Sequence, residues 1–226
     1  MTHSPIVAAA FSRRAVLAAG AASGLLAGCG GNLIGPSQEP PQIYVLKPQL
    51  TPLDTLPSVA WQLSVAQPEA PQALETVRIA LQRGQTMDYY ANAQWTDPTP
   101  RLLQSLLIEA FESSGCIRGV APEAAGVRAD YVLETEIRSF EAQYQAENGA
   151  PDINVHIVAR LVTAGRGEVV GTFEAGNHAP AAQNTVPAVV QAFGEATGQT
   201  LEDIVRWSLK AGAEKGRNSA PGGKSP

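Results

Sequence analysis

The sequence predicts an α+β fold: an antiparallel or mixed sheet with two main helices packed on one face. Three observations lead there. Tyr131 to Ile137 and Ile153 to Leu161 alternate apolar and polar residues, the period-two pattern of strands with one wet side. Leu103, Leu106, Leu107, Ala110 and Phe111 recur at helical spacing, as do Val186, Val190, Phe193, Thr197, Leu201 and Ile204. The order is strands, a helix, more strands and a closing helix, which segregates helices from sheet rather than interleaving them.

The chain opens on an export signal. Its first 28 residues hold no Asp or Glu, and Arg13-Arg14 precede an apolar stretch from Ala15 to Ala27. That stretch falls well short of the roughly 20 residues a bilayer-spanning helix needs. Ser12-Arg13-Arg14-Ala15-Val16-Leu17 resembles a twin-arginine signal, and both that route and the general one stay open. Leu26-Ala27-Gly28-Cys29 then reads as a lipobox. Small residues admit the peptide to the signal peptidase, cleavage falls between Gly28 and Cys29, and the Cys29 sulfur takes the diacylglycerol. One acyl chain holds a protein marginally, and two or more anchor it stably. Gly30 rather than Asp follows the cysteine, which by the usual sorting logic directs the product to the outer membrane.

Residues 29–42 form a lipidated tether, rich in Gly, Pro, Asn and Ser. The folded domain is expected over 43–210, and the Gly-, Ala-, Lys- and Pro-rich 211–226 as a disordered tail. The net charge is −5, and loss of Arg13 and Arg14 with the signal makes the remainder more acidic. Binding of nucleic acid or anionic lipid through a basic surface is therefore not expected. Cys116 has no partner for an intrachain disulfide once Cys29 is acylated, and is expected as a small buried apolar residue.

Within the domain, Ile43 to Leu46 is a short strand closed by Pro48. Trp61 to Ala66, Thr76 to Gln82 and Met87 to Ala91 are further strands. Thr99 is positioned as an N-cap with Pro100 at the first helical position, and Gly115 stops that helix. Phe140 breaks the alternation begun at Tyr131, which predicts a bulge or an edge near Ser139. Gly165-Arg166-Gly167 turns the strand ending at Thr163 back through Val169, Gly171 and Phe173. The closing helix is expected to end near Lys210.

No catalytic residue, metal site or cofactor is expected. His156 and His178 lack a second histidine or cysteine at ligand spacing, and Glu134 and Glu136 share a strand with alternating polarity. No phosphate-binding loop, nucleophile elbow or H-E-x-x-H occurs. The pointed stretch is Tyr89 to Asp97. Tyr89, Tyr90 and Trp95 either offer a partner-facing aromatic surface or seal the strand-to-helix corner, with Asp97 helping to cap.

The chain resembles the ABC-type transport auxiliary lipoprotein family. The likeness rests on Tyr44-Val45-Leu46-Lys47-Pro48, Val77-Arg78-Ile79 and Tyr89-Tyr90-Ala91-x-Ala93-x-Trp95-x-Asp97. It continues through Pro100-x-Leu102-Leu103-Gln104, Ser113-Ser114-Gly115, Tyr131-x-Leu133 and the Phe140 region. It closes on Val189-Val190-x-Ala192-Phe193 with a late Trp207. The resemblance implies a non-catalytic envelope lipoprotein that accompanies an MCE-domain protein and an inner-membrane ABC transporter, permease and ATPase. Phospholipid or another hydrophobic molecule is the implied cargo, and a homo-oligomer is compatible with that role. The alternatives are a periplasmic lipoprotein that binds lipid or solute itself, and an assembly factor for another envelope complex.

Overall fold

A computed structural model describes residues 40–51, 56–146 and 149–219. The elements run β1 (Gln42–Tyr44), β2 (Val59–Val65), β3 (Arg78–Arg83), β4 (Thr86–Trp95), α1 (Thr99–Ser114) and β5 (Ile117–Pro122). They continue with β6 (Tyr131–Tyr144), β7 (Asp152–Thr163), β8 (Val169–Pro180) and α2 (Val186–Ser219). The eight strands form one mixed sheet with both helices, the α+β arrangement the sequence predicts.

β6, β7 and β8 make an antiparallel meander that carries most of the core. Leu133, Ile137, Ile153, Val155, Ala159 and Leu161 are fully buried on its inner side. Pairing shifts between Ile137 and Ser139, where β6 re-phases so that Phe140 rather than Ser139 turns inward. This is the bulge that Phe140 predicts. The other edge of β6 is divided. β2 pairs in parallel with Tyr131 to Leu133, and β3 pairs in parallel with Ala142 to Tyr144. Between them, among the described residues, only Glu69 bridges to Glu136. β5 then flanks β2, while β4 and β1 flank β3.

α1 packs on β5 and β2, and α2 packs on β7, β8 and α1. Gly115 ends α1 in the left-handed region at φ 62°, which glycine adopts without a Cβ penalty. The start of α1 differs from expectation. Pro98 precedes the helix and Thr99 lies inside it, with its backbone N–H and hydroxyl both on the Thr76 carbonyl at 3.2 and 3.4 Å. Asp97 makes no cap either, and pairs across one turn with Arg101 at 3.9 Å. Thr76, at the threshold of β3, attracts the hydroxyl more effectively than the helix end does.

β5 has no counterpart in the sequence analysis. Gly119 and Pro122 interrupt its apolar pattern, and both are tolerable in a strand that pairs on one side only. Cys116, just before it, is half-buried rather than enclosed. The closing helix runs past Lys210 to Ser219, so residues 211–219 are helical where a tail was expected. Ala211, Ala213, Glu214 and Lys215 are strong helix formers, and Gly212 gives α2 room to pass Trp61. Residues 220–226, the rest of that tail, lie outside the described residues.

The aromatic centre joins strands to α2. Trp95 meets Phe193 edge-on at 5.2 Å between centroids, and Phe193 meets Phe140 at 4.9 Å. Such pairs add about 0.5–1.5 kcal/mol each beyond their buried area.

Leaving β1, residues 47–51 cross the face of α2 as a strap. A Cβ on Gly194 would stand 2.6 Å from the Lys47 carbonyl oxygen, and one on Gly198 would meet the Gln49 carbonyl closer still. One turn further along, Glu202 accepts the Thr51 backbone N–H. Gly194 and Gly198 are therefore the groove through which this segment passes.

Candidate functional site

Gly28 and Cys29, the expected cleavage and lipidation site, lie outside the described residues. The three aromatic candidates all fall on β4. Trp95 is only 2% exposed, enclosed by Phe140 and Phe193, so it has no surface to offer a partner. Of the two alternatives, sealing the corner fits its position. Its indole N–H is buried without a hydrogen-bond acceptor.

Tyr89 and Tyr90 are half-buried. Tyr89 donates its hydroxyl to the Ala73 carbonyl at 2.9 Å, with the Arg78 guanidinium 3.8 Å over its ring. Tyr90 and Tyr144 share a 2.8 Å hydrogen bond, and Tyr144 donates onward to Asn184 Oδ1 at 2.7 Å. The Tyr144 proton is thus committed to Asn184, and Tyr90 is the donor between the phenols. Burial first, then the bond to Tyr144 and that neighbour's charge when ionised, push the Tyr90 phenol far above its ordinary range. The row links β4, β6 and the approach to α2, which is architecture rather than acid–base chemistry.

β4 is irregular beyond these adjacent tyrosines. Along β3 the pairing moves from Ala80 to Arg78, while along β4 it moves from Tyr89 to Gln94. Asn92 takes up the excess at φ 54°, a conformation asparagine tolerates better than most residues. β1 covers β4 over Ala93 to Trp95 alone, leaving Met87, Asp88, Ala91 and Asn92 exposed.

On the outer side of the sheet, His156 lies 3.9 Å from Glu174 and His178 lies 3.6 Å from Asp152. Glu136 receives Arg138 at 3.0 Å and Arg160 at 3.5 Å. Glu141, unremarkable in sequence, is buried at 3% exposure and accepts from Gln143 Nε2, Asn154 Nδ2 and the Phe140 backbone N–H. Its lone pairs are occupied by neutral donors, so it serves as a structural acceptor on β6. Among the described residues no cluster of three or more His, Cys, Asp or Glu is placed to hold a metal ion. Among them, too, no helix is long and apolar enough to cross a membrane.

The helical extension beyond Lys210 creates a groove invisible to sequence reasoning. About 880 Å³ lies open between Pro57–Trp61 and the last turns of α2, lined by Val59, Trp61, Gly212, Ala213 and Arg217.

Four similarities bear on what this architecture is. A solved protein of Xanthomonas campestris is 30% identical and superposes with a TM-score of 0.73, covering 78% of this chain and 99% of its own. An uncharacterized solved protein at 16% identity shares the fold with a TM-score of 0.59, covering 75% of this chain and 99% of its own. An uncharacterized protein of Bradyrhizobium diazoefficiens is 26% identical over 149 residues, 66% of this chain. The chain spans 40% of that relative's length. The family model described as ABC-type transport auxiliary lipoprotein component matches residues 44–205, from β1 through most of α2. That family is defined by an accessory role, and no catalytic family is indicated. The chain belongs to the ABC-type transport auxiliary lipoprotein component family.

Proposed function

We propose that this protein is a lipid-anchored accessory subunit of an envelope ABC transporter that works with an MCE-domain protein to move phospholipid or another hydrophobic molecule between membranes. One observation carries the reading: the family match begins at residue 44, directly after a lipobox and a short polar tether. Acylation at Cys29 would hold the body at the periplasmic side of the outer membrane. The body supplies binding surface and no chemistry, while the permease and ATPase supply transport and energy.

The test is purification of the full-length protein from its native host under mild cross-linking, beside Cys29→Ser. The expected result is an acylated amino terminus beginning at Cys29, with permease, ATPase and MCE-domain protein co-purifying. Cys29→Ser should lose the acyl mass and leave the membrane fraction. An unmodified amino terminus would remove the anchor, and recovery of none of those partners would remove the transporter assignment.

A further inference from the structure

Ile43 and Val45 are the most exposed large apolar side chains among the described residues, at 67% and 58%. They sit two residues apart in and just after β1, so they point the same way. Burial alternates onward through the strap: Tyr44 is half-buried and Leu46 fully buried, while Val45 and Lys47 are exposed. Ile43, Val45 and Lys47 thus form one outward row. The fold has no use for the two apolar members. β1 is held by its backbone pairing to Ala93, Gln94 and Trp95, and by Leu46 in the core. Branched apolar residues left outward on an edge strand are a liability unless something covers them.

We propose that Ile43, Val45 and Lys47 form a bilayer-contact strip on which the anchored body rests its β1 edge. This rests on the lipid-anchor reading of Cys29. The occupant follows from chain length and charge. Twelve residues, Gly30 to Pro41, separate β1 from the acylated position, and a Gly-, Pro- and Ser-rich sequence of that length is expected from composition to reach roughly 20 Å. The lipid surface is therefore present at high effective concentration, and contacts too weak to recruit a free protein suffice to orient a tethered one. Residues 40–51 hold one cation, Lys47, and no carboxylate, in a chain of net charge −5. A lysine beside two apolar side chains suits anionic headgroups over acyl chains. A second copy is the weaker occupant, since β1 offers only three residues of edge for pairing.

The experiment uses the full-length, lipidated protein in a Cys116→Ser background, with an environment-sensitive NBD label on Val45→Cys or, as control, on Met87→Cys. Vesicles of phosphatidylethanolamine and phosphatidylglycerol carry brominated acyl chains as quencher. The label at 45 should shift to the blue and be quenched severalfold more than the label at 87, and Lys47→Glu should weaken both effects. Equal, water-like emission from both sites on protein that floats with the vesicles overturns the strip while leaving the anchor intact. Failure to float overturns the anchor and the strip together. A blue shift that needs no vesicles and grows with protein concentration assigns the strip to a second copy, and also overturns the proposal.

Discussion

Gln49 donates its backbone N–H to the carbonyl of Gly194 at 3.2 Å, fastening the extended segment after β1 onto the middle of α2. The contact is possible because α2 presents glycine at positions 194 and 198, one turn apart, where any side chain would strike backbone. Two glycines in a helix interior are a standing cost, about 0.8–1 kcal/mol each relative to alanine. The strap is what offsets it.

Gly198→Ala therefore sets helix propensity against collision with the Gln49 carbonyl. Overpacking costs about 1–3 kcal/mol and exceeds the propensity gain. The variant should unfold at lower urea, with the segment after β1 more open to proteolysis. Gly216→Ala is the control, with nothing within 4 Å of its added Cβ, and should be neutral or more stable by up to about 1 kcal/mol. Two substitutions of like sign would refute the strap as the reason for glycine at 198.

Trp95→Ala should cost about 3–5 kcal/mol, because it empties the centre of the Phe140–Phe193 cluster. Trp95→Phe should cost much less, since it keeps an aromatic ring and removes a buried N–H without an acceptor. Chemical denaturation of the two variants reads the ranking. A harmless Trp95→Ala would return this residue to a role at the surface.

Tyr144→Phe removes the acceptor of the Tyr90 proton and the donor to Asn184. The Tyr90 phenol should then titrate at lower pH than in the parent, though still above its ordinary value because burial remains. Ultraviolet titration reads this directly. A raised folded-state value gives stability that is intact below the ordinary phenol pKa of about 10 and lost as pH climbs from there toward the raised value. The parent should therefore destabilise in alkali more steeply than the variant.

Lys215 near the end of α2 reaches Glu168 beside the hairpin turn at 2.6 Å. That hydrogen bond first, and the lysine charge second, hold the Glu168 carboxyl below its ordinary value. Its contribution is present above the unfolded carboxylate pKa and disappears as pH falls through the lowered folded one. Glu168 is solvent-exposed, so global stability should hardly move. Amide protection factors in the last turns of α2, corrected for the intrinsic pH dependence of exchange, should fall on acidification, and Lys215→Ala should raise the Glu168 titration midpoint seen by NMR.

The meander and both helices were legible where each buries one face over several turns or pleats, so the period survives in the sequence, whereas the last turns of α2, mostly exposed, carry no such period. Ile153 to Leu161 and Val186 to Ile204 are of this kind. The misses have local causes. Asn92 re-phases β4, so its ten residues show only a fragment of alternation and the inward turn of Trp95 is hidden. β5 is defined by what lies beside it rather than by its own pattern. At the candidate site, aromatic density from Tyr89 to Trp95 indicated a cluster without indicating which side faced water, because exposure there depends on β1, Ala73 and Phe193, all remote in sequence.

The divided edge of β6 bears on how the molecule comes apart. Among the described residues, a crack opening at β5 and β2 has no unbroken ladder to run along toward β3, β4 and β1, since only the Glu69–Glu136 bridge lies in its path. Each flank can fray or be remodelled while the meander under α2 stays shut. A docking event at one corner can thus borrow backbone from its own flank and leave the opposite corner undisturbed.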